Sequence, residues 1–413
     1  MNSTIKKIII VLLRLVSRAI LWRHKPIVVA ITGSVGKTTT KDVVGHGLAS
    51  VENTRSADKS FNSDFGVPLT VINASNPWGK VTGWIDVLFQ GLHVLIKDNY
   101  PKILVLEVGT RFPGDIPRLA KWLKPHVSMI THIPEVPVHI EFFGTRQAIV
   151  DEKSTLAKYT RAGGTIILNR DSEYVYEIAK NMTHPVVTIG FHPDATYRAF
   201  DVQRVVTEDG QYGMRFSVKV QGVAVPVFAP AFIAKHQVYG VLYAMATADV
   251  LGYDINAVAA SMSTLKPTVG RLNPLVGVGN TLIIDDSYNA SPAAMEAAIE
   301  TLTTVDTPGR HIAVLGDMLD LGKMTKEVHE SVGTFLQNQR LDLIYLVGQR
   351  MRYAYDTMIA AKYPKTKIFY CDTPADVLPL LQKKIQKGDT ILIKGSQGMR
   401  MEKIVAELVE DKE

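Results

Sequence analysis

The chain holds a single cysteine, Cys371, among 413 residues. That excludes a disulfide framework and any cysteine-built metal centre, and it fits a reducing compartment. The ordinary reading of such a thiol is a small buried hydrophobe rather than a nucleophile. Acidic residues are missing from the first 25 positions, which carry Lys6, Lys7, Arg14, Arg18, Arg23 and Lys25. The same segment lacks a long apolar run. Its longest is Ile8 to Leu13, and Arg14 and Arg18 interrupt the rest, whereas a spanning helix needs about 20 mostly apolar residues. No small-residue cleavage site follows, so a secretory signal is also disfavoured. Internal repeats and low-complexity tracts are absent, which sets solenoids and arrays aside. What is present is 46% apolar residues, ample core for two or three globular domains. The net charge of +6 resides in the N-terminal segment, because the other 40 basic residues balance 40 acidic ones. A nucleic-acid-binding surface on the main body therefore has little support, and no nucleic-acid partner is expected.

Projected at about 100° per residue, Lys7, Arg14, Arg18 and Lys25 fall on one narrow stripe of a helix over residues 1–25. Ile8 to Leu13, Leu15, Val16, Ile20, Leu21 and Trp22 occupy the remainder. This pattern suits a helix lying peripherally on the anionic inner leaflet of a membrane, with the body in the cytoplasm. It equally suits a helix docked on the protein's own body or on a partner. Pro26 ends it.

A buried strand, Val28 to Ile31, follows at once and runs into a glycine-broken turn. The stretch VAITGSVGKTTT, residues 29–40, reads as a phosphate cradle. Gly33 and Gly36 let backbone N–H groups around Ser34 face an anion, and Lys37 supplies a point charge for the outer phosphates. Thr38 or Thr39, at the start of a helix, would hold Mg²⁺. The G-x-x-x-x-G-K-[ST] pattern is incomplete, since Ile31 stands where its first glycine belongs.

Further apolar runs at Ile103–Leu106, Val127–Ile130 and Thr165–Leu168, with helical patterns between them, read as parallel βαβ units. From about Val186 to Phe232 the texture alternates, with turns at Asp209–Gly210 and Gln221–Gly222, and predicts antiparallel hairpins on the same domain. A helix is expected over Val238–Leu251. After residues 267–270 a second α/β series begins, with strands at Thr281–Ile284, Ile312–Leu315, Leu343–Val347 and Thr390–Ile393. The expected division is thus 1–25, 26–268 and 269–413.

Several side chains could carry chemistry. Glu107, at a strand's C-terminal edge beside the phosphate turn, is placed for a Mg²⁺ contact. His139 and, fourteen residues later, Lys153 are unremarkable alone, since isolated histidines are usually structural and isolated lysines solvated. In TLIIDDSYNASP, Asp286 and Asn289 are the candidates for ribose hydroxyls, and Ser291 before Pro292 suits a helix cap. Arg271 stands where it could reach a phosphate across the domain junction. Lys394, Ser396 and Arg400 in IKGSQGMRMEKIV are available to an anionic substrate.

Taken in order, TGxxGKTTT, FNSDFGVPLT, LEVGT, VHIEFFGT with its downstream lysine, AKHQ, GR, DDSYNASP, VLGDMLDLG and KGSQGMRME resemble the Mur ligases over roughly residues 26 to 413. DDSYNASP, GDMLDLG and GSQGMRME are most like the branch that adds D-alanyl-D-alanine in peptidoglycan synthesis. The resemblance implies a P-loop-type central ATPase domain with a mainly parallel sheet and an antiparallel segment, then a Rossmann-like C-terminal α/β domain. It implies a ligase in which ATP phosphorylates a peptide carboxylate and an amine dipeptide captures the acyl phosphate. By this likeness Lys37 and Thr38 serve the β/γ-phosphates and one Mg²⁺, and Glu107, His139 and an N-carboxylated Lys153 hold metal, with two Mg²⁺ sites in all. Lys37, His139 and Lys153 form the catalytic set. Asn62 lies in the substrate-side loop, His236 opens the adenine segment, Arg271 bridges the domains, and Asp286 and Asn289 approach ribose and phosphate.

There are departures. The relatives have His-Asn and, three residues on, Asn, where this chain has His236–Gln237 and Gly240, so adenine contacts and nucleotide preference stay open. About two extra residues precede His139. Only the basic segment precedes Pro26, where the relatives carry a UDP-sugar-binding domain, which leaves the acceptor open to a shorter or lipid-carried molecule. Alternatives are a ligase that builds an amino-acid homopolymer and a regulatory NTPase that forms no amide.

Overall fold

Most of the expected apolar runs form strands with bounds within two residues of those read from sequence, because each is a short β-branched segment closed by glycine or proline. The computed structural model describes residues 3–57, 59–77, 81–208, 210–230 and 232–410. Strands β1 (Ile27–Thr32), β2 (Thr54–Ser56), β3 (Ile103–Glu107), β4 (Val127–Ile130), β5 (Thr165–Asn169), β6 (Val186–Gly190), β7 (Tyr197–Val206), β8 (Tyr212–Val220) and β9 (Val223–Pro230) form one sheet. Its order is β2-β3-β1-β4-β5-β6-β7-β8-β9. β1 lies between β3 and β4, parallel to both. The chain thus leaves β1 toward one side and returns to build the other, and the loops after these three strands diverge around a crevice at their C-terminal ends.

One strand departs from expectation. β6, read as the first arm of antiparallel hairpins, pairs parallel to β5, Ile166 opposite Val186 and Asn169 opposite Ile189. The helical turns Glu173–Tyr176 and Glu177–Asn181 supply the crossover a parallel pair needs, and the run of apolar residues alone cannot report direction. β7, β8 and β9 are antiparallel. Gln221 and Gly222 have φ of 49° and 82° at the turn between β8 and β9; in the other turn, Gly210 has φ 79° and Asp209 lies outside the described residues.

The second sheet contains β10 (Asn273–Gly277), β11 (Thr281–Asp286), β12 (His311–Gly316), β13 (Leu343–Val347), β14 (Ile368–Cys371) and β15 (Thr390–Lys394), in the order β10-β11-β15-β12-β13-β14. Only β10 in it is antiparallel to its neighbour. Cys371 is buried against Tyr345 and Val377 in the core of this sheet.

Helices α1 (Ser3–His24), α2 (Lys37–Ala49), α3 (Gly66–Ile72) and α4 (Val81–Ile96) belong to the first unit, and α1 packs on α3 and α4. α1 docks on the body through Ile9, Leu13, Ser17 and Ile20, all buried, at the i, i+4, i+8, i+11 spacing of one helix face. Each fully buried Ile or Leu contributes about 1.5–3 kcal/mol. Gly91 of α4 permits the approach, since a Cβ there would lie 2.5 Å from Val16 Cγ1. Arg23 to Asp98 at 3.0 Å and the His24 ring stacked 4.6 Å from Tyr100 fix the C-terminal end. One face of α1 is therefore a docked helix, the alternative to membrane contact weighed from the sequence.

Candidate active site

The turn after β1 is shaped by what a side chain would hit. Gly33 has φ 150°, and a Cβ there would stand 1.9 Å from Thr131 Oγ1. Thr131, at the end of β4, donates its hydroxyl to the Val35 carbonyl at 2.6 Å, and Ser34 N–H donates to His132 O at 2.8 Å. Gly36, at φ 85°, caps α2 with no side-chain hydrogen bond. The first-turn N–H groups of α2 thus face the crevice without a side-chain acceptor, an anion site by construction. Ser34 Oγ is buried there without a hydrogen-bond partner. Lys37 Nζ lies 3.3 Å from Ser34 O; desolvation pulls its pKa below the usual lysine value against the opposing pull of Glu107.

Glu107, the last residue of β3, is buried, and both of its oxygens are used. Oε2 accepts from Thr38 Oγ1 at 3.0 Å and Oε1 from Asn62 Nδ2 at 2.8 Å. Thr38 also meets Ser60 Oγ at 2.9 Å. Lys153 projects from the helix Arg146–Lys158, is 4% exposed, and donates to Gly33 O at 2.8 Å. Burial, reinforced by Lys37, holds its pKa well below the ordinary 10.5, which favours the neutral amine more than an exposed site would. His139 sits at φ 67° in the loop after β4, and desolvation, with Lys37 next, lowers its pKa to about 4. Its buried Nδ1 has no hydrogen-bond partner; Asp320 Oδ2 stands 3.6 Å away.

The second sheet closes the other side. Asp286 and Lys394 are register partners on β11 and β15, and Lys394 Nζ donates to Asp286 Oδ2 at 2.6 Å and to Asn289 O at 2.9 Å. Both side chains are buried. Arg271 lies over the Tyr288 ring at 4.4 Å. One cleft of about 1060 Å³ is lined by Gly33 to Thr40, Asn62, Glu107, His139, Lys153, His236, Arg271, Asp286, Asn289, Lys394 and Ser396. Its polar groups converge from two sheets, as expected of a ligand site.

Three expected roles change. Arg400 is outside the cleft lining: at φ 60° it ends the short turn Gln397–Met399, and its guanidinium pairs with Glu402 at 2.6 Å. Lys394 lines the cleft paired with Asp286, so the two would meet an anionic substrate as a pair rather than as a free cation. Ser291 holds the N-cap position before Pro292, but its hydroxyl makes no cap bond. Gln237, at the departure from the relatives' pattern, turns its carboxamide to the backbone, accepting from Ile233 N at 2.9 Å and Ala234 N at 3.0 Å. Residues not singled out from the sequence include Ser60, Thr131, His132, Tyr288 and Asp320. Tyr288 and Asp320 stand inside DDSYNASP and GDMLDLG, so the motifs flagged their neighbourhood without their contacts.

The oxygen donors at Thr38 and Glu107 suit a hard divalent cation, and the His139 imidazole adds a nitrogen donor to the same cleft. Among the described residues no three His, Cys, Asp or Glu side chains form a ready cage. Mg²⁺ seldom needs one, since it keeps waters and takes substrate phosphates beside one or two carboxylates.

Comparison with known proteins agrees with this architecture. Residues 31–248 match the Mur ligase middle domain and residues 270–397 the Mur ligase, glutamate ligase domain. The UDP-N-acetylmuramoyl-tripeptide–D-alanyl-D-alanine ligase of Bacillus subtilis is 29% identical over 383 residues, 93% of this chain and 76% of that protein. Its counterpart in Escherichia coli is 26% identical over 385 residues, covering 93% and 77%. A crystal structure of MurF from Acinetobacter baumannii superposes with a TM-score of 0.80 at 25% identity, over 96% of this chain and 79% of that one. MurF of Thermotoga maritima, solved with ADP, shares the fold with a TM-score of 0.77 at 24% identity, over 98% and 84%. With both family domains matched in sequence, in order, on the two sheets that enclose one phosphate-type cleft, the chain belongs to the Mur ligase family of ATP-dependent, amide-bond-forming ligases.

Proposed function

We propose that this ligase joins a D-alanyl-D-alanine-type dipeptide to the free carboxylate of a cell-wall-precursor peptide. ATP phosphorylates the carboxylate, with ADP leaving, and the dipeptide amine then displaces phosphate from the acyl phosphate to leave an amide. The observation that carries the reading is the Lys153 amine 2.8 Å from Gly33 O: one buried side chain reaches the turn after β1 from a helix 120 residues away. In this reading Gly33 to Thr39 cradle the triphosphate and Lys37 offsets charge on the outer phosphates. Arg271 and Asn289 approach the nucleotide from the second sheet, Asp286 acts through its grip on Lys394, and His236 borders the base. Residues 26–268 and 269–413 are the two working units. Chemistry of this kind is positioning and charge neutralisation.

Mg²⁺, when bound, would neutralise the transferring phosphoryl, with Thr38, Glu107, His139 and a carboxylated Lys153 as its holders. The buried, unpartnered Nδ1 of His139 and the depressed pKa of Lys153 fit that group. A neutral Lys153 amine adds CO₂ at nitrogen and releases one proton, which leaves a carbamate whose two anionic oxygens can accept or ligate while its N–H still donates. Two such ions are part of the reading.

A second reading concerns the acceptor alone. Lys6 and Ile10 of α1 line the cleft beside Asn62 and Phe65, and in this second reading the acceptor is carried on lipid, with α1 lying at the inner leaflet, on the cytoplasmic side. The test is phosphate release with ATP and Mg²⁺ across a panel of peptide carboxylates with D-alanyl-D-alanine, product masses recorded. A gain of one dipeptide on one acceptor is expected. A ladder of masses would indicate a homopolymer ligase, and turnover indifferent to both substrates would reject amide formation.

A further inference from the structure

α1 has a second face. Opposite its docked side, Ile5, Ile8, Leu12, Leu15 and Trp22 form an outward stripe, with Ile8 53% and Trp22 78% exposed. The neighbouring α4 carries a matching stripe of Ile85, Phe89, Leu92 and Ile96, exposed by 50%, 66%, 50% and 76%. The spacing i, i+4, i+7, i+11 puts these four on one side of the helix. Two packed helices thus each present a row of large apolar side chains to the outside, where a folded monomer normally exposes such residues singly.

We propose that the α1–α4 face is a docking surface for an anionic lipid leaflet. Charge selects this occupant. Lys7, Arg14 and Arg18 run along α1 beside its apolar stripe, Lys25 follows just past its end at φ 49°, and residues 1–25 contain no acid. Of the acids on or just after α4, Asp98 is engaged by Arg23 at 3.0 Å, and Asp86 lies about a quarter turn off the stripe. A partner protein or second copy seated by apolar contact alone has no need of that basic flank, whereas headgroup phosphates do. Among the described residues no helix is long and apolar enough to cross a membrane. The pair therefore lies in the interface, with Trp22 at the headgroup boundary. Lys6, whose ammonium stands 5.6 Å from the Phe65 ring centroid, and Ile10 belong both to α1 and to the cleft wall. A leaflet beneath α1 and α4 thus borders the cleft on the side of Asn62.

Flotation of the full chain with phosphatidylcholine vesicles, with and without phosphatidylglycerol, tests the proposal without requiring turnover, so it stands or falls apart from the ligase reading. The chain is expected to float with the anionic vesicles. Phe89→Ser with Leu92→Ser should cut the bound fraction by more than about tenfold, and Arg14→Ser with Arg18→Ser should abolish the preference for phosphatidylglycerol; thermal melting serves as the folding control. Quenching of Trp22 by brominated lipid, with Trp22→Phe as the blank, reads the same contact in the unaltered fold. A chain that stays at the bottom of the gradient, or an F89S/L92S variant that floats like the parent, overturns it. So does a dimer that F89S/L92S dissociates while neither form binds vesicles, which would assign the face to a second copy.

Discussion

Replacing Lys153 by methionine separates its chemistry from its packing. The side chain is 4% exposed and its amine makes one hydrogen bond, to Gly33 O. Methionine keeps most of the volume, removes a desolvated amine whose burial opposes folding, and leaves one carbonyl without its donor, a loss of about 1–3 kcal/mol. The two effects oppose each other, so the net change in stability is expected to stay within about 2 kcal/mol. Activity should respond on another scale. Loss of one charge-stabilising group at a phosphoryl-transfer site costs about 10²–10³ in turnover, so phosphate release should fall by that factor with melting almost unmoved. The pH dependence follows from the direction of the shift. A base whose folded pKa lies below its unfolded value of 10.5 binds fewer protons folded than unfolded between those values, so stability rises with pH through that window. The penalty is complete below the lowered pKa and gone above the unfolded one. The neutral amine also gains CO₂ as pH rises. Activity of the parent should therefore climb with pH through the lowered pKa and drop when bicarbonate is stripped from the buffer; the Lys153→Met variant should show neither response. A Lys153→Met enzyme within threefold of the parent's rate, or a parent indifferent to bicarbonate, would refute the assignment.

Asp286→Ala leaves the Lys394 ammonium, 1% exposed, without its counter-charge and is expected to destabilise the fold by about 3–5 kcal/mol in denaturant melts; adding Lys394→Met should recover most of that loss. Gly33→Ala drives a Cβ into Thr131 Oγ1 at 1.9 Å, so binding of a fluorescent ATP analogue should weaken by more than about tenfold, and a variant binding normally would mean the turn is not the phosphate site. His139, lowered to about 4, stays neutral at any pH above that value, so its protonation should produce no inflection in kcat between about pH 6 and 8. An inflection there that His139→Asn removes would contradict this environment.

Local chemistry made the glycine-broken turn after β1 legible as a candidate phosphate cradle. Two glycines, a lysine and three threonines after a β-branched strand have few other uses, because the backbone conformations at Gly33 and Gly36 are ones side chains resist. The same holds for β3 ending in Glu107. β6 was legible as a strand but not in direction, since an apolar run records burial on the sheet faces and carries no sign of its neighbour's orientation. Arg400 and Lys394 looked alike in sequence, one basic residue each around a glycine loop. Their environments differ because Lys394 ends a central strand, where burial demands a counter-charge, and Arg400 ends an exposed turn.

The order of its residues alone determined that this chain builds two α/β units, one with a glycine-broken turn after its first strand, and carries a basic amphipathic helix ahead of them. Periodicity and turn residues act over a few positions, and a linear string preserves that range. Tertiary structure decided what meets: Lys153 with Gly33, Asp286 with Lys394, and α1 with α4 through Val16 and Gly91. These pairs join residues 60 to 120 positions apart, and their proximity is set by strand order and helix packing, which no local pattern encodes.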